Sequence, residues 1–155
     1  MGFNRLSTKH SIMSTNEISF KLHSIKTEQF AIIEDIYNEA NSVQLESNYR
    51  FGSVIPEKLV AVLVNYKFKT PNGVFLIIEV NCMFGIKPDS WDSIYNVDKS
   101  ELILPKSIAT HLLVLVIGTA RGVLHAKTEN TPYNRFILPT LNVSESIKED
   151  VVISE

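Results

Sequence analysis

The chain has 155 residues, 45% apolar and 21% charged, with a net charge of −2 and one cysteine, Cys82. That length supports one domain with a proper core, and the near-neutral charge gives no basic footprint for nucleic acid and no polybasic membrane patch. A single cysteine excludes an internal disulfide and fits a reducing compartment, so the expected location is cytoplasmic.

Residues 1–16 are polar, lack the apolar stretch of a signal peptide and read as a flexible lead-in to a single domain over 17–143. From Glu17, Ile18, Phe20 and Leu22 alternate with Ser19, Lys21 and His23, which predicts a strand. Between Thr27 and Glu39, Phe30, Ile33, Ile36 and Tyr37 fall at helical spacing, but the stretch equally fits an irregular crossover. Val43, Leu45, Ser47, Tyr49 and Phe51 alternate again and predict a strand ending near Gly52.

Two further strands are expected at 59–68 and 74–84, with Thr70, Pro71, Asn72 and Gly73 between them. Val60, Val62, Val64, Tyr66 and Phe68 form one apolar face of this hairpin, and half of the other face is apolar too. An antiparallel hairpin commonly has one apolar and one solvated face. The second face therefore points to association with a subunit, partner or client. Residues 85–100, with Pro88, Asp89, Ser90, Trp91 and Asp92, read as a turn-rich loop.

A long helix is expected from Pro105, a residue suited to a first helical turn. Ile108, Leu112, Leu115, Val116, Thr119, Ala120 and Val123 keep helical spacing. Gly118 and Gly122 each cost about 1 kcal/mol against alanine there, and would mark close approach to another helix or the sheet. The longest strongly apolar run, Leu112–Ile117, is short of the roughly 20 residues of a membrane span, so no membrane insertion is expected. A short segment over 136–143 follows, and 144–155, with four acids and one lysine, reads as a frayed acidic tail. The expected fold is α+β: a four-stranded antiparallel sheet with a long C-terminal helix packed on one face.

No pattern in the chain carries chemistry. His10, His23, His111 and His125 contain no helical pair at zinc-ligand spacing, so neither a metal nor another cofactor is expected. Cys82 has no basic neighbour to activate it, and Gly118 to Gly122 lacks the preceding strand and the lysine of a phosphate loop. Glu79 stands among Phe75, Ile77, Ile78 and Val80, where a buried carboxylate needs a partner, but it has no companion acid or base for catalysis. A nonenzymatic protein is expected.

Three pieces of the chain resemble the protein-export chaperone SecB family. Glu17, Ile18, Ser19 and Phe20 resemble the acid-Ile-Ser-Phe of its first strand. Phe75 to Val80, an apolar run leading into Glu-Val, resembles its last strand. Arg121 and Gly122, followed by Leu138 to Val143, resemble its Arg-Gly and its terminal Leu-x-Pro-x-Asn signature. The resemblance implies an ATP-independent holdase, a homotetramer built as a dimer of dimers with helices between the dimers, that binds unfolded preproteins along apolar grooves. Phe30, Ile33, Ile36 and Tyr37, with Phe84 and Trp91 at the hairpin exit, are the expected client-binding residues. Ile36 and Tyr37, as loop residues, should tolerate serine without loss of fold. Glu17 and Glu79 match acids that dock the export motor ATPase; Lys21 stands where the family has a third, which should weaken that contact. The helix is about one turn longer than the family's and lacks its Ala-Arg-Glu start. The alternative is a SecB-like module dedicated to one partner, such as an antitoxin. A small-ligand or enzymatic α+β domain would need converging polar groups in a pocket.

Overall fold

Phe20–Ile32 (β1), Gln44–Val54 (β2), Leu59–Thr70 (β3) and Gly73–Ile86 (β4) form one antiparallel sheet in the order β1-β4-β3-β2. The computed structural model describes residues 18–39 and 42–154; the lead-in 1–16 and Glu17 lie outside them. The β3–β4 hairpin is the middle of the sheet. Its turn is closed by Gly73 at φ +132°, a conformation open to glycine and strained for other residues. The Asn72 amide donates to Thr70 Oγ1 at 3.1 Å.

The inner face of the hairpin, from Val60 to Phe68 on β3 and Leu76 to Phe84 on β4, is buried under helix α2, Lys106–Thr128. Ala109, Leu112, Leu113, Val116, Ile117, Ala120 and Leu124 are the helix residues buried with it. Burying each large aliphatic side chain contributes roughly 1.5–3 kcal/mol, so this layer holds the fold together. By length and apolar composition α2 also satisfies the test for a membrane-crossing helix, which the shorter run Leu112–Ile117 does not reveal. Its buried stripe lies in the core described here. The arrangement is the α+β fold expected, a four-stranded antiparallel sheet with a long helix on one face.

Four expectations are corrected. The stretch from Thr27 is neither helix nor crossover at first: β1 continues through Phe30 to Ile32, and only then does a 3-10 turn, Glu34–Ile36, follow. Register shifts between Leu22 and Ser24 and between Thr27 and Gln29 break the alternation, because each irregularity moves later side chains to the other face. The turn-rich loop holds a short helix, α1 (Pro88–Ile94), which buries Trp91 and Ile94. The acidic tail is ordered. Val151–Ser154 (β7) pairs with Glu101–Leu104 (β6), which pairs with Tyr95–Asn96 (β5), in a second, three-stranded sheet. Ile147 and Ile153 are buried, and Asp150 Oδ1 accepts from the Lys106 amide at 2.8 Å, capping the start of α2.

The fourth correction concerns the two glycines. A Cβ at Gly118 or Gly122 would meet nothing within 4 Å. They mark an opening on the back of α2, where a close approach was expected.

Candidate functional site

The opening is an apolar cleft of about 370 Å³ between the back of α2 and the segment that follows it. Gly118 and Gly122 leave the helix side bare, Phe136 and Ile137 form the opposite wall, and Leu124, His125, Arg121 and Asn134 close the rest. Ile137 is 64% exposed at the rim. Val114 and Leu115, 49% and 42% exposed, lie one turn before Gly118 on the same side of the helix and extend the apolar surface.

The far wall is held by named bonds. Arg121 donates from Nε to the Leu138 carbonyl at 2.8 Å and from Nη2 to the Pro139 carbonyl at 2.9 Å. Leu138 itself is buried. At the other end, Asn134 Nδ2 donates to the His125 carbonyl at 3.2 Å and to Thr128 Oγ1 at 3.1 Å. Thr131 Oγ1 accepts from the Tyr133 amide at 3.2 Å and caps the 3-10 turn Pro132–Arg135. The polar groups around the cleft are largely spent on shaping it, and its surface is left apolar.

The expected client-binding residues fall into two places. Ile33, Ile36 and Tyr37 gather where β4 begins. The Ile33 amide donates to the Phe75 carbonyl at 2.7 Å, and Ile36 lies over Gly73. Tyr37 packs on Phe75, Tyr133 and Phe136 at centroid distances of 4.7, 5.5 and 5.5 Å, under the Arg135 guanidinium. Through Phe136 this group touches the cleft wall. Phe30, on β1, is half-buried with the Lys127 ammonium 5.4 Å from its ring centre. Phe84 and Trp91 sit at the opposite end of β4 and are core residues, 1% and 2% exposed. Neither can touch a client without unfolding the hairpin exit, so that part of the assignment is withdrawn. Tyr37 is likewise no loose loop residue. Its place in the aromatic cluster overturns the expected tolerance to serine.

Glu79 lies on the outer face of the sheet, half-buried, with Oε2 accepting from Asn65 Nδ2 at 2.6 Å. Cys82 is buried beneath α2, and burial pushes its thiol up against a smaller opposing influence of the neighbouring Thr119. Among the described residues no group of three or more His, Cys, Asp or Glu side chains is placed to hold a metal ion. The residues missed from sequence are Phe136, Ile137 and Asn134. The signal available was the pair of helix glycines, whose meaning depended on what lay opposite.

No family model matches the chain, and no curated protein matches it. Among solved structures it is similar to the SecB-like chaperone Rv1957 of Mycobacterium tuberculosis, determined in complex with a ChAD peptide from the Rv1956 HigA1 antitoxin. That match has 10% identity over 79% of this chain and 90% of the other, with a TM-score of 0.49. It is also similar to a protein of unknown function from Streptococcus agalactiae, with 11% identity over 81% of this chain and 98% of the other and a TM-score of 0.38. At these values neither likeness speaks to what this chain binds.

Proposed function

We propose that this chain is a nonenzymatic polypeptide-binding protein that holds apolar client segments in the cleft behind α2 without ATP. The observation that carries the reading is the cleft itself: two adjacent turns of a core helix are stripped to glycine opposite Phe136 and an exposed Ile137. Two glycines inside a helix cost about 2 kcal/mol together, a cost that folding alone does not explain when no neighbour needs the space. Tyr37, joined to the cleft through Phe136, and its neighbours Ile33 and Ile36 are the remaining client-binding candidates, with Phe30 flanking them.

The apolar stripe of Val114 and Leu115 also supports assembly through the back of α2, as the tetramer implied by the SecB resemblance would use it. Holding unfolded chains in general and serving one dedicated client share this geometry, and they separate by breadth of binding. An export motor recruited by Glu79 is the less supported addition, since Lys21, Lys26 and Lys67 share the face on which Glu79 lies.

The test is light scattering of several unrelated, chemically unfolded proteins diluted with and without this protein, its native mass measured alongside. Suppression of aggregation at near-stoichiometric ratio without ATP is expected, and Gly122→Leu should abolish it while keeping the fold. Suppression unchanged in that variant would refute the cleft as the client site. Suppression of no client at all would refute general holding and leave a dedicated partner.

A further inference from the structure

Among the described residues nothing covers the outer face of the four-stranded sheet, and the strand register places its side chains in cross-strand rows. Arg50, Leu63, Asn81 and Lys26 form one row; Asn48, Asn65, Glu79 and Gln29 the next; Glu46, Lys67, Ile77 and Ala31 a third. Lys21, beside Gly85, and Lys69, paired with Glu46, extend the face at its two ends. Five cations therefore share it with two carboxylates, Glu46 and Glu79, and a third, Glu28 at the register shift, reaches Lys26 on the face.

Those carboxylates are already engaged. Glu28 pairs with Lys26 at 3.0 Å, Glu46 pairs with Lys69, and Glu79 is held by Asn65. Arg50 and Lys21 have no ion-pair partner among the described residues. The chain as a whole carries a net charge of −2, so the basic excess is local to this surface. Leu63, Ile77 and Met83 lie half-buried between the charges. Asn81 Oδ1, in the same area, is a buried acceptor without a partner among the described residues, and it lies too deep to serve the surface itself.

We propose that this face docks an acidic, amphipathic segment of a partner polypeptide. Its carboxylates would meet Arg50, Lys67 and Lys21, and its apolar side chains would rest on Leu63, Ile77 and Met83. The polarity is opposite to that of an acidic platform for a basic motor. A nucleic acid is disfavoured because its phosphates need a continuous basic track, and here Glu46, Glu79 and apolar residues interrupt it. The inference is independent of the client cleft, which lies behind α2 on the other side of the sheet.

Fluorescence anisotropy tests it with a short labelled peptide that alternates glutamate with leucine and serine, its lysine-for-glutamate counterpart, and a labelled single-stranded DNA. The acidic peptide should bind best, and the reversal Arg50→Glu/Lys67→Glu should weaken it by about tenfold or more. Raising salt from about 0.05 M to 0.3 M should weaken it too. Glu79→Lys should tighten it, and Gly122→Leu should leave it unchanged. Tighter binding of the basic peptide or of DNA would overturn the proposal. So would acidic-peptide binding that ignores the Arg50/Lys67 reversal, or that is lost in Gly122→Leu. The variants change exposed or half-exposed positions, and circular dichroism verifies that each is folded.

Discussion

Replacing Gly118 and Gly122 together by alanine should make the protein more stable. In a helix interior each glycine costs about 0.8–1.0 kcal/mol relative to alanine, because its backbone loses more freedom on folding. That gain is usually offset when the new methyl strikes a neighbour, but at both positions an added Cβ meets nothing within 4 Å. The two sites lie one turn apart on the same side of α2, and two methyls at that spacing do not clash, so the effects should nearly add to about 2 kcal/mol. For a domain of this size that corresponds to a rise in Tm of roughly 4–8 °C.

Far-UV circular dichroism melts and urea titrations give the two numbers, with the native mass recorded for each sample. Equal or lower stability at unchanged mass would refute an open cleft behind α2, since some group must then occupy the space. A gain in denaturant stability accompanied by a fall in native mass would instead place the glycines in a contact between copies. Gly122→Leu extends the same logic: the helix tolerates it, and the cleft loses its free volume.

Tyr37→Ser should destabilise the chain by about 2 kcal/mol, less than a fully buried aromatic truncation because the ring is half-exposed; a urea midpoint equal to wild type would remove Tyr37 from the core. Asp150→Ala removes the cap on the Lys106 amide and should cost about 1 kcal/mol, read in the same titration. Tyr66 is fully buried, and burial together with its 3.0 Å contact to the Tyr49 hydroxyl pushes its phenol well above the ordinary 10.0. Because the folded phenol stays protonated while the unfolded one ionises, its contribution is complete below pH about 10 and is lost as pH rises beyond it, by up to about 1.4 kcal/mol per pH unit. Comparing wild type with Tyr66→Phe across that range isolates the effect, and parallel stability curves would refute it. Cys82 should react slowly with a disulfide reagent at pH near 8 and rapidly once unfolded; prompt labelling of the native protein would show that α2 lifts from the sheet.

The sheet was legible where its alternation is strict. β2, β3 and β4 pair without a slip over their middle stretches, and their periods of two appear directly in the residues. β1 was lost after Thr27 because two register shifts change the parity, leaving Phe30, Ile33 and Ile36 at an accidental helical spacing. α1 was hidden by turn-forming Pro88, Asp89 and Ser90. β7 was hidden by the acids before it, Glu149 and Asp150, although Val151, Val152 and Ile153 were in view. In both, tertiary burial of one or two side chains, Trp91 and Ile153, outweighs local composition.

The site was less legible than the fold for a physical reason. A catalytic centre announces itself by residue type, whereas an apolar cleft is a shape, and Gly118 and Gly122 fit either close packing or open space until the opposite wall is known. That wall nevertheless left a trace. Arg121 and Leu138, seventeen positions apart in the sequence, are joined by a 2.8 Å hydrogen bond that fixes the strap beside the glycines. Arginine suits this position because its planar fork serves the Leu138 and Pro139 carbonyls together. Lysine, a single point donor, would leave one of them without its bond. The residues whose chemistry is specific are therefore those that hold the cleft open. The residues that line it, Phe136 and Ile137, need only be apolar and of suitable size, and sequence marks them weakly.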